Sequence, residues 1–181
     1  RVGDPRAPGT QVGPVTTEQQ FRKILDHIEV AKGEGARCVL GGGVPQTEDL
    51  KDGWFVSPTI FVDVDNRMRI AREEVFGPVL SIIRFRDEED AIAIANDSCY
   101  GLAAGIWTEN IGRALRVERR LRAGTVWINT YRALSMTMPF GGFKRSGIGR
   151  ENGIGAIMEY LEPKSVWIDT TGTMASPFTL R

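Results

Sequence analysis

Histidine and cysteine are scarce: His27, Cys38 and Cys99 are the only ones in 181 residues. Two cysteines cannot build a disulfide framework, and they lack metal-ligand spacing, so no metal site is expected and a reducing cytoplasm is the default location. His27 lies between Asp26 and Ile28 with no serine or cysteine partner recognisable nearby, and reads as a surface or helix-packing residue rather than a general base. Net charge is absent too. The 23 basic and 23 acidic residues balance, which argues against nucleic acid and anionic membranes, since both need a concentrated basic face. Arg113, Arg116, Arg119, Arg120 and Arg122 are locally basic, but Glu109 and Glu118 interrupt them, and the run reads as a solvated helix face. No apolar run approaches the ~20 residues of a membrane-spanning helix. No signal peptide and no initiator methionine precede Arg1-Val2-Gly3-Asp4-Pro5, so a fragment of a longer protein is expected.

What is present suits a folded domain: 41% apolar and 25% charged residues lie in the ordinary globular range. Thr17 and Gln20 have capping-box spacing, and Phe21, Ile24, Leu25, Ile28 and Ala31 then recur on one helical face until Gly33 and Gly35 end it. Strands are expected at Arg37–Leu40, within Trp54–Val64, and at Val79–Phe85, Ala103–Trp107, Thr125–Asn129 and Ser165–Asp169. Helices are expected after Asp87 and over Ile111–Leu121, the latter burying Ala114, Leu115 and Val117. A short helix should follow the glycine-rich stretch 139–153. Such alternation predicts an α/β fold, a largely parallel twisted sheet flanked by helices.

Chemistry-bearing residues are few. Gly147, Gly149 and Gly153 are spaced one residue too widely for a dinucleotide fingerprint, and tight-turn glycines explain them better. Either cysteine reads as a small buried hydrophobe, with nothing flanking it to lower a thiol pKa. Glu73-Glu74-Val75-Phe76-Gly77-Pro78 stands directly before a buried strand, where open α/β sheets bind ligands. Its acids and ring are either a solvated helix end with a core phenylalanine, or a hydrogen-bonding edge for sugar hydroxyls beside a packed flat ring. Trp127 to Tyr131 and Met136 to Phe143 mix aromatics and methionines with turn residues. They suit the wall of an apolar pocket or loop packing over the sheet.

Four ordered blocks together resemble the aldehyde dehydrogenase superfamily: Glu73 to Val79, Tyr100 to Gly105, Gly124 to Asn129, and Pro139 to Glu151. The resemblance covers nearly the whole chain and implies the C-terminal part of an NAD(P)-dependent enzyme that oxidises an aldehyde to an acid through a cysteine thiolate. It implies that Glu74 accepts hydrogen bonds from the nicotinamide ribose and that Phe76 packs beside it. Phe140 would line the aldehyde tunnel with Thr130, Tyr131 and Leu134, and Glu151 would assist proton movement. Residues 1–160 would belong to the catalytic domain, 161–171 to an oligomerisation strand that pairs with another subunit, and 172–181 to a tail.

In that family the nucleophilic cysteine, the oxyanion asparagine, the general-base glutamate and the main dinucleotide fold lie upstream of the segment matching Arg1. Neither Cys38 nor Cys99 occupies the nucleophile position. The expectation is therefore a fragment of an NAD- or NADP-dependent parent, homo-oligomeric and cytoplasmic, that is inactive alone. Two other readings stand beside it: a natural binding or oligomerisation module, and one half of a split enzyme.

Overall fold

The structure, a computed structural model, describes residues 1–170 and Gly172. Helix α1 (Glu18–Gly33) starts where extended Thr17 accepts a hydrogen bond from the Gln20 amide at 3.2 Å, and its last turn closes onto Gly35 at φ 97°. Its apolar stripe lies on strands β1 (Arg37–Leu40), β2 (Thr59–Val62) and β3 (Val79–Ser81), with the short helix α2 (Arg69–Arg72) beside it. Strand β1 runs antiparallel to β2, and β2 runs parallel to β3. Ile24, Ile28, Ala31, Ala36, Val56, Phe61, Val64 and Ile70 make one buried cluster between helix and sheet. Burying each of its valine, isoleucine and phenylalanine side chains contributes about 1.5–3 kcal/mol, and this cluster is the main core among the described residues.

The second half is thinner. Helix α3 (Glu88–Asn96) is capped by Asp87, which accepts from the Asp90 amide at 2.9 Å; α4 (Ile111–Glu118) is capped by Asn110, which accepts from Arg113 at 2.9 Å. Strands β4 (Ala103–Ile106) and β5 (Thr125–Ile128) form a separate parallel pair. The basic residues of α4 serve the packing of α3. Glu88 meets Arg113 at 3.4 Å and Arg116 at 3.0 Å, and Glu89 pairs with Arg120.

Several expectations need correction. The single, largely parallel sheet is two small sheets, of three and two strands, and β1 is antiparallel. The strands expected within Trp54–Val64 and over Val79–Phe85 shorten to β2 and β3 because regular pairing covers only three registered positions after Pro78. The strand expected at Ser165–Asp169 does not form. Trp167 is 93% exposed, and an extended segment without a neighbouring edge has no ladder to join. Leu115, expected to be buried, is 45% exposed and Ile111 68%, because no layer among the described residues covers that side of α4. The expected tail lies outside the described residues apart from Gly172.

These exposures add up. The whole chain exposes 13,772 Å², whereas a compact 20.0 kDa monomer should expose about 8,700 Å². Phe85, Trp107, Tyr131, Leu134 and Met136 are among the bare apolar groups. Contiguous apolar exposure of this extent is unusual for a lone soluble chain.

Candidate functional site

Residues 73–77 leave α2 and enter β3, and one face of α1 holds them. Lys23 Nζ donates to the Glu74 carbonyl at 2.7 Å, and Gln20 Nε2 donates to the carbonyls of Val75 at 2.8 Å and Phe76 at 3.1 Å. Ile24 packs on Gly77, where an added Cβ would lie 2.7 Å from its Cδ1. One turn further along α1, the ring of His27 is buried; its Nε2 lies 3.2 Å from Glu73 Oε2. Positions 20, 23, 24 and 27 follow the i, i+3, i+4, i+7 spacing of one helix face. Arg69 completes the frame by donating to Glu73 Oε2 at 2.9 Å and to Asp26 at 3.0 Å. The Arg69 guanidinium, and to a lesser degree His27, hold the Glu73 carboxyl below the ordinary glutamate range.

This support fixes an unusual arrangement. Phe76 has a left-handed φ of 53° and a ring 75% exposed. A non-glycine residue in that region costs about 1–3 kcal/mol, and an exposed ring forgoes a burial gain of similar size. Beside it, the Glu74 carboxylate is exposed and makes no hydrogen bond or ion pair among the described residues. Both border a hollow of about 490 Å³ that also includes Ile70, Val79, Ile83 and Ser98.

Phe140 and Glu151 meet in a second place. Their backbones exchange two hydrogen bonds of 2.8 Å as an isolated antiparallel bridge. They share a cleft of about 630 Å³ with Leu102, Arg150 and Tyr160. Gly124 allows the loop to lie against the start of β5, since a Cβ there would sit 1.7 Å from the Gly141 carbonyl oxygen. Arg150 Nη1 donates to Gly142 at 3.0 Å and Gly149 at 2.6 Å, and its guanidinium covers the Phe143 ring. Lys144 Nζ donates to the carbonyls of Asn96 at 2.9 Å and Ser98 at 3.0 Å, tying this loop to the end of α3.

The predicted site residues thus fall into groups. Glu74 and Phe76 stand together, and Phe140 stands with Glu151, but the two hollows share no lining residue. A smaller depression shares Ala95 and Ser98 with the first and Leu102 with the second. Thr130, Tyr131 and Leu134 lie on the exposed loop after β5 and do not line the Phe140 cleft. There Tyr131 meets Trp127 edge to face at 5.5 Å, and Trp127 Nε1 donates to Ala133 at 2.8 Å. Cys38 and Cys99 are both free and only partly buried. Sequence reasoning missed Gln20 as a support because its spacing from Thr17 suggested a capping box. The side chain instead reaches the 75–76 carbonyls. Lys23 and Lys144 were missed as well; the only available sign for Lys23 was a polar residue flanking the apolar stripe of α1.

Comparison with known proteins places this geometry. The aldehyde dehydrogenase family pattern matches residues 1–166. Betaine aldehyde dehydrogenase of Brucella anthropi is 49% identical over 178 residues, which is 98% of this chain and 36% of the relative. The Staphylococcus aureus betaine aldehyde dehydrogenase solved in complex with NAD+ superposes with a TM-score of 0.93 at 42% identity, covering 99% of this chain and 36% of that one. A Mycobacterium tuberculosis aldehyde dehydrogenase complexed with NAD+ gives 0.87 at 48% identity, covering 96% of this chain and 35% of that one. The chain therefore spans about a third of the length of these relatives. By match, sequence and shape, it belongs to the aldehyde dehydrogenase family.

Proposed function

We propose that this chain is the C-terminal part of an NAD(P)-dependent aldehyde dehydrogenase and supplies the nicotinamide-ribose edge and part of the aldehyde wall. The observation that carries this reading is the pairing of an unclaimed carboxylate, Glu74, with an exposed ring, Phe76, on backbone that α1 holds rigidly. The residues fit the cofactor. A diol needs acceptors with no other partner, and a flat ring needs an uncovered aromatic beside it. NAD+ in the two solved relatives supports the same choice.

When bound, NAD(P) takes the hydride that leaves the aldehyde carbon. This chain's own residues do the surrounding work. Glu74 accepts hydrogen bonds from the ribose hydroxyls, and Phe76 limits where the ring can sit. Phe140 lines the aldehyde path, with Thr130, Tyr131 and Leu134 contributing from the exposed loop once neighbouring protein closes over it. Glu151 holds or passes a proton. No nucleophile is assigned within the chain, and that step belongs to the upstream part of the parent. Residues 1–160 are assigned to the catalytic domain. The segment 161–171, in which Trp167 is exposed, is assigned to pairing with a second copy once that copy supplies an edge. Residues 172–181 are left as the tail. Two free cysteines suit a cytoplasmic parent. The relatives' names make betaine aldehyde the first substrate to assay.

In the full-length protein, Glu74→Gln should raise the NAD+ dissociation constant about tenfold to a hundredfold, the loss of one charge-assisted hydrogen bond of about 1.5–3 kcal/mol. Its folding should be little changed. Unaltered NAD+ affinity and turnover in that variant would remove the basis for the assignment.

A further inference from the structure

His27 is the chain's single histidine, its side chain is fully buried, and the reading above gives it no task. Its Nδ1 lies 2.9 Å from the Lys23 carbonyl oxygen and its Nε2 lies 3.2 Å from Glu73 Oε2. A carbonyl oxygen has no proton to give, so Nδ1 must be the donor. An ionised carboxylate has none either, so Nε2 must donate as well. A neutral imidazole carries only one N–H. Both contacts hold together only when the ring is protonated on both nitrogens.

The neighbouring charged groups are paired around the same contact. Arg69 donates to the same Glu73 oxygen at 2.9 Å, and its guanidinium holds the Glu73 carboxyl below the ordinary glutamate range. On α1 itself, the Lys23 ammonium is engaged with the Glu74 carbonyl, and Asp26 faces Arg69 at 3.0 Å. From the end of α1, Glu34 accepts from the Arg69 amide at 2.8 Å. Toward the sheet, His27 is flanked by the apolar cluster of Ile24 and Ile28.

We propose that His27 is a positioning residue: its doubly protonated ring ties Glu73 to α1, and loss of one ring proton loosens the segment that carries Glu74 and Phe76. With one proton gone, the bare nitrogen lone pair of the buried ring faces the half-exposed Glu73 carboxylate, and an attraction becomes a repulsion. Lys23 and Gln20 still hold residues 74–76, so the segment loosens from its Glu73 end. As a statement about cofactor placement this rests on the reading of Glu74 and Phe76 above; as a statement about the ring's protons it does not.

The test uses the ¹⁵N-labelled chain, in which one histidine gives two ring-nitrogen signals. Ring shifts and amide exchange in residues 73–76, corrected for intrinsic exchange, are followed across about pH 5 to 9. The expected result is two protonated nitrogens while the segment is tight, and at least about tenfold faster exchange once the ring drops to one proton. Glu73→Gln should abolish the step, because an amide can accept from a charged ring or donate to a neutral one. A singly protonated ring beside a tight segment would overturn the proposal, and so would a Glu73→Gln variant that loosens in parallel with the parent. Adding NAD+ separates the two claims. In the full-length protein, a pH step with no NAD+ effect on residues 74–76 at any pH would establish the proton linkage and overturn its role in cofactor placement.

Discussion

Gly77 is where the helix face and the candidate cofactor edge touch most closely, and Gly77→Ala tests whether that contact fixes the segment. The new methyl carbon would sit 2.7, 2.8 and 3.1 Å from Cδ1, Cγ1 and Cγ2 of Ile24, against an ordinary contact of 3.4–4 Å. Ile24 has no exposed surface and is enclosed by its core cluster, so it cannot move aside cheaply. Overpacking of this kind costs about 1–3 kcal/mol. The backbone at Gly77 is outside the left-handed region, so alanine also brings a gain of about 0.4–1 kcal/mol by restricting the unfolded chain. The net expected loss is about 1–2 kcal/mol. Ile24→Ala alone should cost about 2–5 kcal/mol by opening a cavity. In the double variant the added methyl enters that cavity, so the combined loss should fall short of the sum by at least about 1 kcal/mol. Urea unfolding of the four proteins with unchanged slopes reads this directly. Additivity within about 0.5 kcal/mol would show that Ile24 does not hold Gly77 in place.

Two further outcomes follow. In the full-length protein, Phe140→Ala should change aldehyde KM and chain-length preference while leaving NAD+ KM nearly intact, and the reverse pattern would contradict a place on the aldehyde wall. The Arg116 hydrogen bond, helped by Arg113, holds Glu88 below its ordinary range, and Arg120 does the same for Glu89. A carboxyl whose pKa is lowered on folding stabilises the fold above its unfolded value, about 4.3, and loses that contribution as pH falls further. The α3–α4 contact should therefore weaken below about pH 4. Arg116→Ala should flatten part of that acid transition followed by circular dichroism; an unchanged acid profile would mean the pair has no structural role.

Local signals in the sequence were readable because they are set by near neighbours. Thr17 and Asp87 mark their helix starts as capping chemistry requires, and the stripe from Ile24 to Ala31 faces the core. Pairing between distant strands was not readable. Alternation of elements gives their order but not which edges meet, so the split into two sheets and the antiparallel β1 were invisible. The strand expected near Trp167 failed for a related reason: β-propensity is present, but no strand edge among the described residues lies beside it. At the site, the residues alone left Glu74 and Phe76 open between a solvated helix end with a core phenylalanine and a hydrogen-bonding edge beside a flat ring, and only the motif resemblance chose between them. The left-handed backbone and exposure of Phe76 come from long-range bonds to Gln20. Polar spacing on α1 hints at such a contact without naming the partner.

The most direct measurement is an NMR titration of the full-length protein, ¹⁵N-labelled within this chain's residues, with NAD+. Perturbed amides should cluster at residues 74–77, with magnetisation transfer from the Phe76 ring to the nicotinamide ribose protons, while the Phe140–Glu151 bridge stays silent. Perturbation centred on residues 140–151, with Glu74 and Phe76 unmoved, would contradict the account.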